Sequence, residues 1–216
     1  MANGTAAGRP KTRERILAVC QTLFNERGPA DVTTAEIAAT LGINEGNLYY
    51  HFQRKEQMLE ALFEAFEREL GRVAAADLEY GGDPTHYADY LRGWFGLMWE
   101  WRFFYRDGAT VHRLAPGLRA RIQSLSDQGQ AEIRRAMAAM RAAGLIDGTP
   151  EELERVMVNA WIVSTYWIDY LRTRHAVTAI TREHLDWGAA QVIGLYAPYL
   201  TPEGMRIARA GGAAPA

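Results

Sequence analysis

The stretch from Thr33 to Glu56, TTAEIAATLGINEGNLYYHFQRKE, constrains the fold of this chain more than any other. Thr33 precedes a short run of helix-forming residues, with Glu36 three positions on as the reciprocal partner of a capping box. Ile37 and Ala38 supply the core-facing side of that helix, and Leu41-Gly42 ends it. Asn44 then caps a further helix over about 45–52, pinned by Ile43 and Leu48. Two short helices joined by a tight glycine-containing turn make a helix-turn-helix, the third helix being braced by one that precedes the pair.

That preceding helix is predicted from about Thr12 to Arg27. Its apolar residues Ile16, Leu17, Cys20, Leu23 and Phe24 share one face, and Gly28-Pro29 stops it. Helical periodicity continues throughout and no run alternates with period two, so the chain reads as all-α with about nine helices. Arg54-Lys55-Glu56 opens a long fourth helix. Asp83-Pro84 restarts the chain after Gly81-Gly82. A short helix is expected over 103–114 and a long one over 116–143. A second capping box, Thr149-Pro150-Glu151-Glu152, starts a helix to about Thr173, and a last one spans about 181–199. The division expected is an arm and reading domain over 1–54, a larger helical domain over 55–207, and an unstructured tail over 208–216.

Charge is distributed in a way that sharpens this division. The chain of 216 residues carries a formal net charge of −2, which by itself favours no polyanionic partner. Residues 1–15, however, hold four basic residues, Arg9, Lys11, Arg13 and Arg15, against the single acid Glu14. The next basic spot that matters is Arg54-Lys55. Basic charge therefore flanks the helix-turn-helix on both sides while six acids lie between 16 and 60.

Such a motif places its second helix in the major groove of DNA, with the first residues of that helix at base edges. Glu45, Gly46 and Asn47 occupy that end; Gly46 allows close backbone approach and Asn47 can pair with an adenine edge or a phosphate. Tyr49, Tyr50 and His51 offer hydroxyls and a ring nitrogen suited to phosphates. Lys55 sits in the first turn of the next helix, where an N-terminus already attracts anions.

Residues 12–59 closely resemble the N-terminal domain of TetR/AcrR-family transcriptional regulators. The matching positions are Thr33, Ile37, Ala38, Gly42, Ile43, Gly46, Leu48, Tyr49, His51, Phe52, Lys55 and Leu59. The resemblance implies that Thr33, Asn44, Gly46, Asn47, Tyr49, Tyr50, His51 and Lys55 contact DNA, with Arg9, Lys11 and Arg13 of the arm as further anchors. Glu45 departs from the family, whose members often place a basic or small residue there. Its carboxylate either accepts from a cytosine amine or points away, so it bears on operator sequence rather than on DNA binding.

The resemblance further implies an all-helical ligand-binding and dimerisation domain, a double-stranded operator, a homodimer formed through the last two helices, and a small-molecule effector. No cofactor and no metal are expected. The residues agree with a domain of that kind. Five of the six tryptophans fall in 94–101 and 161–167, so a cavity for an apolar or aromatic effector is expected among Trp94, Met98, Trp101, Phe103, Tyr105, Trp161 and Tyr166. The helix after Pro150 is apolar on two sides and must be covered on both. Its second stripe, Val163, Tyr166, Trp167 and Tyr170, with Val192, Ile193 and Tyr196 of the last helix, is the expected dimer face.

The resulting expectation is a repressor of a palindromic operator, released by its effector. A corepressor-dependent or activating regulator of the same fold is the alternative. The rival of another class is a helical enzyme or ligand-binding protein without a DNA role. Against it, the histidines at 51, 86, 112, 175 and 184 form no helical metal-binding pairs, and no phosphate loop or nucleophile elbow is present. One histidine–carboxylate contact in a ligand pocket stays open. The single cysteine, Cys20, lies on an apolar helix face and reads as core. The opening residues lack an apolar signal region and the most apolar window, 156–171, is too short and polar to span a bilayer, so a cytoplasmic location without membrane contact is expected.

Overall fold

A computed structural model describes residues 11–79, 87–178 and 180–210. Within them the chain forms eleven α-helices: α1 Thr12–Arg27, α2 Thr34–Leu41, α3 Glu45–His51, α4 Lys55–Glu79, α5 Tyr87–Glu100, α6 Arg102–Arg106, α7 Gly108–Leu114, α8 Leu118–Ala142, α9 Pro150–His175, α10 Arg182–Tyr196 and α11 Pro202–Ala210. No strand occurs among the described residues beyond one isolated antiparallel bridge between Ile146 and Leu200. The all-α reading is therefore correct. The expected restart at Asp83-Pro84 falls outside the described residues.

Local chemistry sets the boundaries. Thr33 accepts a hydrogen bond from the Glu36 amide at 3.2 Å, an N-cap worth about 1 kcal/mol. The expected reciprocal bond from Glu36 is replaced by an ion pair with Arg27 at the end of α1. Gly42 ends α2 in the left-handed conformation, φ 67°, which a side chain there would adopt only with strain. The Asn44 side chain accepts from the Asn47 amide at 2.7 Å and starts α3. At α9 the predicted capping box is complete: Thr149 accepts from the Glu152 amide at 3.2 Å, and Glu152 accepts from the Thr149 amide at 2.8 Å.

Three expectations about the helices are corrected. The helix read over 103–114 is two, α6 and α7, separated at Asp107, whose carboxylate is taken by Arg106 at 2.6 Å. The last predicted helix stops at Tyr196 and continues as a 3-10 turn, Ala197–Tyr199, because Pro198 has no amide to donate. Finally, α11 extends from Pro202 to Ala210, into the segment expected to be unstructured. It docks because Gly204 lets the backbone approach: a Cβ there would lie 2.0 Å from the Leu145 carbonyl oxygen. Thr201 fastens the same joint, donating to the Gly144 carbonyl at 2.8 Å.

One core joins the N-terminal helices to the larger domain. Ile16, Cys20 and Phe24 of α1, Ile37 and Ala38 of α2, and Leu48 of α3 are buried, continuous with Met58, Leu62, Phe63 and Phe66 of α4. The same cluster runs on into Trp101, Phe103 and Phe104. Phe103 meets Phe24 edge-on at 5.6 Å, and Phe104 stacks with Trp101 at 6.0 Å. Burying such rings contributes about 1.5–3 kcal/mol each. Two smaller clusters complete the body: Phe95 with Trp167, Ile168, Ala189 and Val192, and Met137 with Ile146, Leu153 and Val156.

Polar contacts reinforce the joint between α1 and α6. Asn25, the buried polar residue of α1, donates to the Glu100 carbonyl at 2.7 Å and accepts from the Phe103 amide at 3.3 Å. Arg106 donates to the Asn25 and Phe24 carbonyls at 2.9 and 3.0 Å, satisfying the C-terminus of α1.

Candidate nucleic-acid interface and ligand chamber

The exposed end of α3 is assembled by the caps just described. Asn44 spends its side chain on capping, which leaves Glu45, Gly46 and Asn47 turned to solvent. A Cβ on Gly46 would meet nothing closer than the Asn44 Oδ1 at 3.4 Å, so packing does not demand glycine there. Its bareness is available to an approaching surface. Thr33 is exposed as well, at the start of α2.

The aromatic residues of α3 divide by role. Tyr50 is 85 % exposed and turns edge-on to His51 at 5.2 Å. The Tyr49 hydroxyl is held between Thr34 Oγ1 at 3.0 Å and the Glu45 carboxylate at 3.5 Å. Glu45, the residue that departs from the family pattern, therefore lies one turn before Tyr49 and bears on where that hydroxyl points. Leu48 and Phe52 are buried beneath the helix.

The basic residues are placed less uniformly than their sequence positions suggest. Arg13 lies over the Phe52 ring at 4.9 Å, and Lys11 is exposed at the start of α1. Arg9 lies outside the described residues. Lys55 is half-buried, its Nζ donating to the Pro29 carbonyl at 2.8 Å. Desolvation holds its ammonium below the usual lysine range, against the opposing pull of Asp31. One of its three N–H donors thus braces the loop between α1 and α2, and the others remain for an anion.

Away from this edge a chamber of about 780 Å³ lies between α4, α5, α6, α7, α8 and α9. Trp94, Tyr105, Trp161 and Tyr166 line it as expected. Trp101, Phe103 and Met98 do not. Trp101 and Phe103 are spent on the core behind the chamber, with the Trp101 indole N–H tied to Glu69 at 2.8 Å, and Met98 is buried elsewhere. Sequence reasoning missed Phe63, Phe66 and Leu70 of α4, His112 of α7 and Arg121 of α8, which are also among the lining residues. They come from helices with unremarkable patterns, so only their convergence reveals them.

The face offered by α9 and α10 also needs correction. Trp167 and Val192, expected at a dimer interface, are buried within the protomer against Phe95. Val163, Ile193 and Tyr196 are half-buried. The exposed apolar stripe is Val158, Ile162, Tyr166 and Tyr170 at four-residue spacing on α9, joined by Trp187 of α10. Tyr170 and Trp187 stack with parallel rings 6.0 Å apart.

No cluster of metal-ligating side chains occurs among the described residues, and no helix among them is long and apolar enough to cross a membrane. A capped helix-turn-helix with an exposed α3 edge, joined through one core to a helical body that carries a chamber, has the form of a DNA-binding regulator. Residues 16–62 match the family model for bacterial regulatory proteins of the tetR family, and residues 55–207 match the TetR model described as a bacterial transcriptional repressor. A solved TetR-family transcriptional regulator from Marinobacter aquaeolei VT8 is 32% identical, with a TM-score of 0.78 over 95% of this chain and 100% of that one. The chain belongs to the TetR family of transcriptional regulators.

Among curated relatives, the HTH-type transcriptional regulator AcrR of Shigella flexneri is 33% identical over 88 residues, 39% of this chain and 40% of that protein. The HTH-type transcriptional repressor KstR2 of Mycolicibacterium smegmatis is 38% identical over 66 residues, 31% of this chain and 32% of that one. These matches thus span well under half of the relatives' lengths.

Proposed function

We propose that this protein is a homodimeric repressor whose two α3 helices read successive major grooves of a palindromic operator, and that a small molecule in the α4–α9 chamber releases it. The observation that carries the reading is the exposed edge of α3, where Glu45, Gly46, Asn47 and Tyr50 project from a helix locked by the Asn44 cap and the buried Leu48. Glu45 and Asn47 are positioned for base edges; Tyr49, Tyr50, His51, Thr33 and the basic residues Lys11, Arg13 and Lys55 serve phosphates and register.

The apolar stripe on α9 supports a twofold assembly. Five large apolar side chains left in water on two adjacent helices favour burial against the same face of a second copy. Pairing there fixes the spacing of the two reading helices. A ligand that favours a spacing unlike the operator's lowers DNA affinity by the same coupling free energy with which DNA lowers ligand affinity.

Selection of bound fragments from genomic DNA, followed by footprinting, tests the reading directly. A protected inverted repeat, with affinity falling steeply as salt rises, is the expected result. Uniform weak binding to unrelated fragments would remove the proposal.

A further inference from the structure

The fold sorts the side chains at the start of α3 and leaves one of them free. Asn44 accepts from the Asn47 amide as the cap, Gly46 carries no side chain, and Leu48 is buried. Glu45 is therefore the first side chain of the helix able to reach outward, and it is exposed. Glu36, in the first turn of α2, is ion-paired with Arg27, whereas Glu45 has no such cation among the described residues. Its carboxylate instead meets the Tyr49 hydroxyl at 3.5 Å, one turn on, and that hydroxyl lies 3.0 Å from Thr34 Oγ1. Glu45 and Tyr49 thus share a face of α3, and the contact keeps the carboxylate on that exposed face.

Chemistry then narrows what this group can meet. A carboxylate accepts hydrogen bonds and donates none. Phosphates repel it, so contact with a nucleic-acid backbone is unfavourable. Along the major groove, guanine presents two acceptors and thymine one, while adenine sets an acceptor beside its amine. Cytosine alone presents a donor, its N4 amine, with no acceptor next to it. Gly46, bare beside Glu45, lets the end of α3 approach the base edges with no side chain between.

We infer that Glu45 is a specificity-determining residue: its carboxylate accepts from the N4 amine of one cytosine in each half-site and rejects guanine and thymine there. The inference rests on the proposal that α3 reads an operator, and deepens it by naming a base. Rejection follows from the same chemistry, since the carbonyl oxygen of guanine or thymine would face the carboxylate with no proton between them. A first-turn acid also steadies a helix N-terminus. That role alone needs no base and gives no preference at any operator position.

Selection from a pool of random-sequence duplexes, run in parallel on the full-length wild type, Glu45→Gln and Glu45→Ala, tests the inference. The wild type is expected to enrich an inverted repeat with cytosine at one symmetric pair of positions. Glu45→Gln should shift that pair alone towards adenine, whose amine and N7 suit a carboxamide, and Glu45→Ala should leave it without preference. Unchanged bases elsewhere in the repeat show that the variants fold and dock as the wild type does. Retardation assays on the wild-type repeat, with deoxyzebularine (a cytosine nucleotide without its amine) at one of the two positions, should show binding weakened about tenfold. The inference is overturned if the same bases are enriched at every position for all three proteins. It is equally overturned if the wild type favours a base other than cytosine at the pair that responds to Glu45, or if loss of the amine leaves its affinity unchanged. An enriched inverted repeat with any of these outcomes removes Glu45 as the reader and leaves operator binding standing; no enriched repeat removes both.

Discussion

Asn25 donates a 2.7 Å hydrogen bond to the Glu100 carbonyl, tying the last turn of α1 to the point where α5 gives way to α6. With the Phe103 amide and the Arg106 guanidinium it makes a polar clasp inside an otherwise apolar core. The reading helices are thus held to the larger domain from two sides, by this clasp and by α4. A change in the larger domain has two rigid routes to α3.

Replacing Asn25 by Ala should expose the cost of that clasp. The Glu100 carbonyl and Phe103 amide lose a buried partner, and removal of one side of such a bond costs about 1–3 kcal/mol. Urea unfolding is expected to show a loss of that size. Operator affinity should also become less sensitive to bound effector, because one of the two routes is loosened; unchanged sensitivity would assign the coupling to α4 alone.

At the reading edge, Tyr49→Phe removes a hydroxyl held by Thr34 and Glu45 on an exposed surface. Stability should change by under about 1 kcal/mol, as for most surface substitutions. Operator affinity should fall by about 1–3 kcal/mol, with a shallower dependence on salt if the hydroxyl serves a phosphate. Titration of one labelled operator at several salt concentrations distinguishes this outcome from a purely structural role, which would alter the thermal midpoint and spare the complex.

Charge placed in the α9 stripe should separate the protomers. Ile162→Glu, half-exposed in the protomer at 50 %, puts a carboxylate in the middle of the Val158–Ile162–Tyr166–Tyr170 row. Burying an unpaired charge costs several kcal/mol, so the dimer constant should weaken by at least about a hundredfold while the protomer stays folded. Sedimentation equilibrium would read the change, and a dimer of undiminished strength would place the interface on another face.

Cys20 gives the protein an alkaline limit. Burial pushes its thiol from 9.0 up to about 12, against the smaller opposing effect of Lys55. Between those two values the unfolded chain has lost a proton that the folded chain retains, so stability falls as pH rises through the window. The expected slope from this group approaches about 1.4 kcal/mol per pH unit. Chemical unfolding at intervals above pH 9 measures it, with Cys20→Ala as the comparison in which this component is absent. A thiol reagent should modify Cys20 only as fast as the chain opens.

The reading domain was legible in the sequence because its determinants are local. Thr33, Gly42 and Asn44 act on amides within three or four residues, and the Ile37–Leu48 spacing needs no distant partner to be understood. The capping box at Thr149 was legible for the same reason. Less local features were misread. On α9 the residues Val158, Ile162, Val163 and Trp167 are all apolar, and nothing in their order says which of them Phe95 of α5 will cover. Likewise Trp101 and Phe103 have the composition of a pocket, yet Phe24 and Phe66 claim them for the core.

The sequence by itself determined an all-helical chain, the capped helix-turn-helix with its exposed α3 edge, and membership of a family of DNA-binding regulators. Each follows from hydrogen bonds and periodicities that span one or two helical turns. Tertiary structure alone decided that α11 docks on Leu145, that Asn25 and Arg106 clasp α1 to the α5–α6 junction, and that residues of six helices converge on one chamber. Those properties depend on which helix faces meet, and facing is set by the simultaneous packing of residues far apart in the chain, where a shift of one residue around a helix exchanges core for surface.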